Sequence, residues 1–418
     1  MFNTQELLIE KKQDREWSGL VDNMMMYGLM AIAFGLFFVR LNHIVEYAFF
    51  VLLGVWVVSQ WRNGSLAWIK TSLDIPILLY LSWALICVPF AVDPAYSFGE
   101  WRKAVAQILM FYFVVQTVKT EQHILLIVLS GAAALMAFSS LESFYFLGQG
   151  RSMWDMGYRA GELTGSSQWF SVYLVIGLPL LWFAWDMTRD SLKWHRVILL
   201  GGWGVSSLGL FLSHTRGAWV AVGTQIFIYV LLKLRKNMWW SAFAGAGVLA
   251  CGLLVVLLLP MFQELANRSS MTETHSMQVR FNTWSVALQD VAENPLTGIG
   301  LGKHSFGRFH PELGAGFHAN LHNTFLAKAV QIGVPGFLFF IWIFIVVVAR
   351  AAPLFRKFSN EWAGKLALTT SLIVVGVIVR NLFDDMFNGT VAYLFWLLMG
   401  LFFSVEKTVA VRKSMSVV

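Results

Sequence analysis

Nine histidines are present, and six of them, His214, His275, His304, His310, His318 and His322, fall between residues 214 and 322. Imidazole is the side chain best suited to moving a proton near neutral pH. A lone loop histidine is more often a solvated polar residue than a base, so placement has to separate these six. His322 stands apart because His322-Asn323 opens HNTFLAKAVQIGVPG, where a polar segment runs into an apolar one. A dry polar group at a bilayer rim costs free energy unless it is paired or solvated. His318 and His322, spaced i and i+4, would share a helix face as zinc ligands do. The zincin pattern, however, needs Glu directly after the first histidine, and Ala319 stands there.

Four arginines carry a second kind of chemistry. Arg216 lies in SHTRGAWV at the start of an apolar span, Arg280 in MQVRFNTW, Arg159 in YRAGELTG and Arg380 at the end of another span. A guanidinium keeps its charge at any working pH and pairs bidentately with phosphate oxygens. The plain alternative is snorkelling toward lipid headgroups. That alternative is weakest for Arg216, which a very short turn holds between two apolar spans. Asp384, Asp385 and Asn388 in RNLFDDMFNGT could hold a divalent cation, form a solvated turn, or pair with Arg380. Trp154, Trp169 and Trp284 could stack on sugar rings, although much of the tryptophan content (19 residues) suits interfacial belts.

The elements that must position these side chains are membrane helices. Of the 418 residues, 57% are hydrophobic and 13% charged, and the mean hydropathy is +0.63. An ordinary soluble domain is near a quarter charged, so the polar shell of several soluble domains is missing. The net charge of +7 would suit nucleic acid, but the Lys and Arg sit in short clusters between apolar spans, and no nucleic acid partner is expected. Cys87 and Cys251 both fall inside apolar spans, so no disulfide framework is implied. A span needs about 20 apolar residues. That window predicts about twelve helices, near 22–39, 44–60, 73–92, 103–118, 122–145, 169–186, 195–213, 217–233, 239–261, 324–349, 365–380 and 386–404. The polar stretch ahead of the first span, with no small-residue cleavage site after it, reads as a retained first helix.

The 31 Lys and Arg divide 19 to 12 between the two sets of loops, and the richer set is assigned to the cytoplasm. Both termini are then cytoplasmic, and the histidines and arginines above face outward. Three parts are expected: residues 1–261 with nine spans and an outer loop at 146–168, an outer helical loop at 262–323, and residues 324–418 with three spans and a cytoplasmic tail. In the long loop Phe281, Trp284, Leu288 and Val291 recur at helical spacing, Asn294-Pro295 closes that helix, and Gly298-Ile299-Gly300-Leu301-Gly302 follows as a flexible run. Helices lying on the membrane are expected there.

The motifs together resemble the O-antigen ligases over residues 150–340. His322, Asn323, Gly333 and Gly336 fit that family's pattern of His-[Asn/Ser/Gln], nine residues and Gly-x-x-Gly, although Phe337 stands where a Thr-Gly pair usually follows. SHTRGAWV resembles the Arg-x-x-x-aliphatic motif at Arg216, and YRAGELTGSSQW the Arg-x-x-Gly loop at Arg159, with Ser167-Gln168 replacing the usual Pro-Asn. The segment RFNTWSVALQDVAENPLTGIGLGKHSF resembles the loop helix and glycine turn. O-antigen polymerases and membrane O-oligosaccharyltransferases share the His-Asn motif and the two arginines. Those polymerases often have two large outer loops, against one main loop here.

The resemblance implies an all-α integral membrane protein with a GT-C-like arrangement, in a bacterial inner membrane with a periplasmic active site. It implies an undecaprenyl-diphosphate-linked glycan donor, a lipid A–core acceptor, surrounding membrane lipids and no cofactor or metal. His322 would be the general base, and Arg216 and Arg280 the diphosphate ligands. Arg159, Asn323, Arg380 and His318 would be further substrate contacts. A monomer is expected. The alternative of a different class is a lipid-linked glycan flippase or transporter. Against it, the chemical residues cluster on one face and no half-to-half similarity is visible.

Overall fold

The computed structural model describes residues 4–62, 69–154, 157–188, 193–234, 271–311 and 321–415. Among these there is no strand. The long helices are α1 (Thr4–Gly35), α2 (Asn42–Arg62), α3 (Asp74–Cys87), α4 (Pro94–Thr117), α5 (Glu121–Gly148), α6 (Ser167–Met187), α7 (Lys193–Leu212) and α8 (Arg216–Leu234). After them come α9 (Met271–Glu293), the short α10 (Ser305–Phe309), α11 (Thr324–Lys357), α12 (Trp362–Asn381) and α13 (Gly389–Met415).

Eleven of the twelve expected spans coincide with helices; the ninth, 239–261, lies outside the described residues. By length and apolar composition seven described helices can cross a membrane, and Gly19–Gly35 and Asp74–Phe90 are shorter apolar helices. The segments 103–118 and 217–233 are helical but fall short of that composition. α4 carries Glu100, Arg102 and Lys103 in its first half, while α8 begins at Arg216 and includes Gln225 and Lys233. Many large apolar side chains, such as Val51, Leu78, Phe144 and Val197, remain exposed, as the outside of a multi-pass membrane protein requires.

The Gly389–Glu406 part of α13 is almost wholly enclosed, and α13 packs along α4, whereas α2 is mostly exposed. α12 lies among α6, α8 and α11, and α5 among α1, α6 and α7. Buried Gln225 crosses three helices: its Nε2 donates to Val175 O and Leu372 O, each at 2.9 Å. In a low-dielectric interior an amide must find such partners.

α11 is broken at Ile332 (φ −133°, ψ 19°) and Gly333 (φ 68°, ψ 179°). A break frees backbone groups that lipid cannot satisfy, and the run after α9 satisfies them. Val330 O accepts from Ile299 N at 2.9 Å, Gln331 O from Gly300 N at 3.0 Å, and Val334 N donates to Pro295 O at 2.8 Å. Ile332 O accepts from Trp83 Nε1 at 3.0 Å. A Cβ at Gly333 would lie 2.2 Å from Leu296 O, and one at Gly298 2.4 Å from Val330 O. The two glycine motifs are therefore one feature, a backbone-to-backbone dock that fixes the residues after α9 against α11.

The helix connections gather at two ends. At one end Lys365 pairs with Asp186 (3.4 Å), Arg350 with Glu406 (3.5 Å) and Lys119 with Asp22 (3.4 Å). At the other, Val92 N donates to Ile299 O (3.0 Å), Ala160 N to Leu212 O (2.9 Å), and Thr324 N to Asp384 O (3.2 Å). The second end carries His322 and is called the site end below.

Candidate active site

His322 closes the run leading into α11 and adopts φ 49°, one of two non-glycine positive values among the described residues. The conformation is fixed from both sides. Asn323, next in the chain, is the extended N-cap of α11, and its Oδ1 accepts from Phe325 N (3.0 Å) and Leu326 N (3.1 Å). That satisfies two of the orphan amides of a helix start. On the other side, Leu321 is buried and its carbonyl accepts from Trp284 Nε1 of α9 at 2.7 Å.

The His322 side chain meets Asp384, in the connection from α12 to α13, with Nδ1 2.9 Å from Oδ1. An ionised carboxylate only accepts, so Nδ1 carries the hydrogen and the neutral ring keeps its lone pair on Nε2. Burial pushes the Asp384 carboxyl up. The hydrogen bond from His322 and the Arg380 charge outweigh it and hold the group below the usual carboxylate range. The other oxygen, Oδ2, accepts from Arg380 Nη2 at 3.2 Å. Arg380 is 1% exposed and also reaches Ser171 Oγ on α6 at 3.4 Å. Thr324 Oγ1 lies 2.6 Å from Asn381 Oδ1 and 3.0 Å from Asp385 Oδ1, which locks the start of α11 to the end of α12. Asp384-Asp385 is thus a buried junction and not a solvated turn.

Arg280 reaches the same junction, and the start of α8 packs against it. Arg280 Nη1 donates to Phe383 O, the residue beside Asp384, at 3.3 Å. Gly217, next to Arg216, is so close to Phe383 that an added Cβ would lie 3.0 Å from the Phe383 Cβ. Arg216 itself is exposed at the first position of α8. Three helix starts or ends and one loop helix therefore meet around residues 380–385.

The remaining expected residues fall elsewhere. Arg159 is exposed on the 149–166 connection, and His318 lies outside the described residues. Along α9, Trp284 and Val291 are partly buried while Phe281 and Leu288 stay 57% and 59% exposed, so the buried face runs instead through Thr283, Ala287 and Asp290. His310 is occupied by Asp290, its Nε2 2.9 Å from Oδ2. His214 holds two main-chain carbonyls, Tyr158 O at 2.6 Å and Met153 O at 3.1 Å. The i, i+4 spacing of Arg380 and Asp384 signals their pairing. Asp384 as the partner of His322, 62 residues away, has no sequence signal.

The fold and site define a multi-pass helical membrane protein whose one end assembles a histidine–carboxylate pair beside arginines. Residues 202–341, a third of the chain, match the family model described as O-antigen ligase, which supports assignment to the O-antigen ligase superfamily. That stretch contains Arg216, Arg280 and His322 and stops short of Arg380 and Asp384. No curated protein matches the chain.

Proposed function

We propose that this protein is an inverting, metal-independent glycosyltransferase that moves O-antigen polysaccharide from undecaprenyl diphosphate to lipid A–core oligosaccharide. The observation that carries the reading is the convergence on residues 380–385, where His322 is oriented by Asp384 and Arg280 is anchored one residue away. An acceptor hydroxyl attacks the anomeric carbon as the bond to the diphosphate oxygen breaks, and the electron pair leaves with the diphosphate. His322 Nε2 takes the hydroxyl proton. The leaving group is already anionic, so it needs charge stabilisation and no proton, and Arg216 and Arg280 supply it.

Asp384 holds His322 in the basic tautomer, as a carboxylate does behind many catalytic and metal-bound imidazoles. Arg380 is placed to fix Asp384 and not to touch substrate, because its side chain is closed off from solvent. Asn323 acts through the helix cap that sets His322, while Arg159 and His318 remain candidate substrate contacts. The reading includes twelve spans in a GT-C-like arrangement in the bacterial inner membrane, both termini cytoplasmic, and a periplasmic site built from 262–323 and the helix ends around it.

The test mixes purified protein, lipid-linked glycan and lipid A–core in detergent. Formation of the conjugate is expected without any membrane barrier. Donor chains lengthened instead of capping the core indicate a polymerase of the same superfamily. No covalent product, with transport restored in proteoliposomes, indicates a flippase.

A further inference from the structure

Beside the junction lies a cavity of about 450 Å³, within the roughly 300–1,000 Å³ span of small-ligand sites. Its walls come from α2, α3, α4, α11 and α13 and from residues 301–304, 385 and 387–389. Neither His322, Arg216, Arg280 nor Arg380 lines it. It nevertheless borders the junction, because Asp385, which lines it, accepts the Thr324 Oγ1 hydrogen bond at 3.0 Å two residues from His322.

The lining pairs hydrogen-bonding heads with aromatic rings. Glu46 accepts from Tyr393 OH at 3.0 Å, and Glu100 is neutralised by Lys103 at 2.7 Å. Tyr80, Phe340 and Trp396 supply apolar faces. That mixture suits a saccharide, whose hydroxyls need paired acceptors and donors and whose C–H faces need rings. The amines are uneven. Half-buried Lys328 donates to a neutral amide, Gln331 Oε1, at 3.2 Å and lies 5.9 Å from the centre of the Phe340 ring. Among the described residues no carboxylate forms an ion pair with it, and Lys303, at the same cavity, is exposed. Glu46 and Asp385 line the same cavity but are engaged by Tyr393 and Thr324 and not by Lys328, so its partly desolvated ammonium is stabilised when the occupant brings a counter-ion.

We infer that this cavity is the acceptor subsite and that Lys328, with Lys303, selects a saccharide carrying an anionic substituent, a phosphate or carboxylate. The inference rests on the glycosyl-transfer reading and adds to it the chemistry of the second substrate. The arginines already serve a diphosphate at the junction, so the separate lysine-lined chamber belongs to the other reactant. A ligand seated there lies against Asp385, beside the junction that holds His322.

The test varies donor and acceptor separately for Lys328→Gln and Lys303→Gln in the full-length protein. The acceptor KM should rise about tenfold for Lys328→Gln, with kcat and the donor KM holding, and the rise should vanish with an acceptor stripped of phosphate and carboxylate groups. A rise confined to the donor KM, or no change in either, overturns the assignment. If the wild type makes no conjugate, the transfer reading fails on its own. The cavity is then judged by direct binding of phosphorylated core oligosaccharide to the detergent-solubilised protein. Binding weakened by Lys328→Gln keeps the anionic saccharide assignment, and absence of binding to the wild type ends it. Should Lys328→Gln fail to fold, the exposed Lys303→Gln carries the same comparison, with a smaller rise expected and an unchanged acceptor KM overturning the inference.

Discussion

Two turns lead into helices at the same end of the bundle, 213–215 before α8 and 321–323 before α11. Each places a histidine in the left-handed region, His214 at φ 47° and His322 at φ 49°, where a non-glycine residue is uncommon. Such conformations cost on the order of 1–3 kcal/mol and persist only when the surroundings over-determine them. The partners differ. Both ring nitrogens of His214 are committed to carbonyls of the 149–166 connection, so this imidazole ties a loop to a turn. His322 meets a buried carboxylate through one nitrogen. A closely similar φ thus serves fastening in one turn and, on our reading, proton transfer in the other. The residue across the contact makes the difference.

The largest effect that would sharpen this comparison is His322→Ala, expected to lower transfer by about 10²–10⁴-fold with membrane insertion intact. Rates would be measured with purified protein under single-turnover conditions. Near-normal transfer would remove the base from the mechanism.

Asp384→Asn comes next, with a loss of about 10–100-fold, because an amide can donate to Nδ1 and strand the lone pair on the wrong nitrogen. It also leaves Arg380 without its buried counter-charge. Adding Arg380→Gln should recover melting temperature and not rate, which separates orientation from stability. The carboxyl is held below its usual range, so its contribution to folding is complete at neutral pH and is lost as pH falls through the lowered value. The melting temperature of the wild type should therefore show an acid limb below about pH 4 that Asp384→Asn weakens.

A smaller loss, about tenfold, is expected for Arg280→Lys or Arg216→Lys, where charge is kept and the planar fork is not. Full activity in both would reduce their role to simple charge.

The smallest effect on rate belongs to His214→Ala, about threefold or less, since its ring nitrogens bond main chain of the 149–166 connection and not residues 380–385. Its signature is amide exchange, which should accelerate over 157–165, while His322→Ala leaves that loop protected. Glu142 would still hold the loop through Gly161 N at 3.1 Å and Thr164 N at 2.7 Å. Equal rate losses in the two histidine variants would break the comparison.

Apolar windows, basic-residue bias and helical spacing in the chain already marked the membrane helices, because bilayer thickness imposes a length and a composition that can be read locally. The chain also offered His322, Arg216 and Arg280 as candidates, since a histidine or an arginine at the membrane rim is expensive enough to be conspicuous. What local reading could not reach was decided by packing across long separations. Nothing along the chain tells His322 that Asp384 lies opposite, or Gly298 that Gly333 will break α11 beside it. α9 shows the same limit: its spacing announced a helix, but the Phe281 and Leu288 side of that spacing faces outward because the buried side was chosen by α11. Periodicity records that a helix has faces. Only the neighbours decide which face is covered and which carboxylate meets the imidazole.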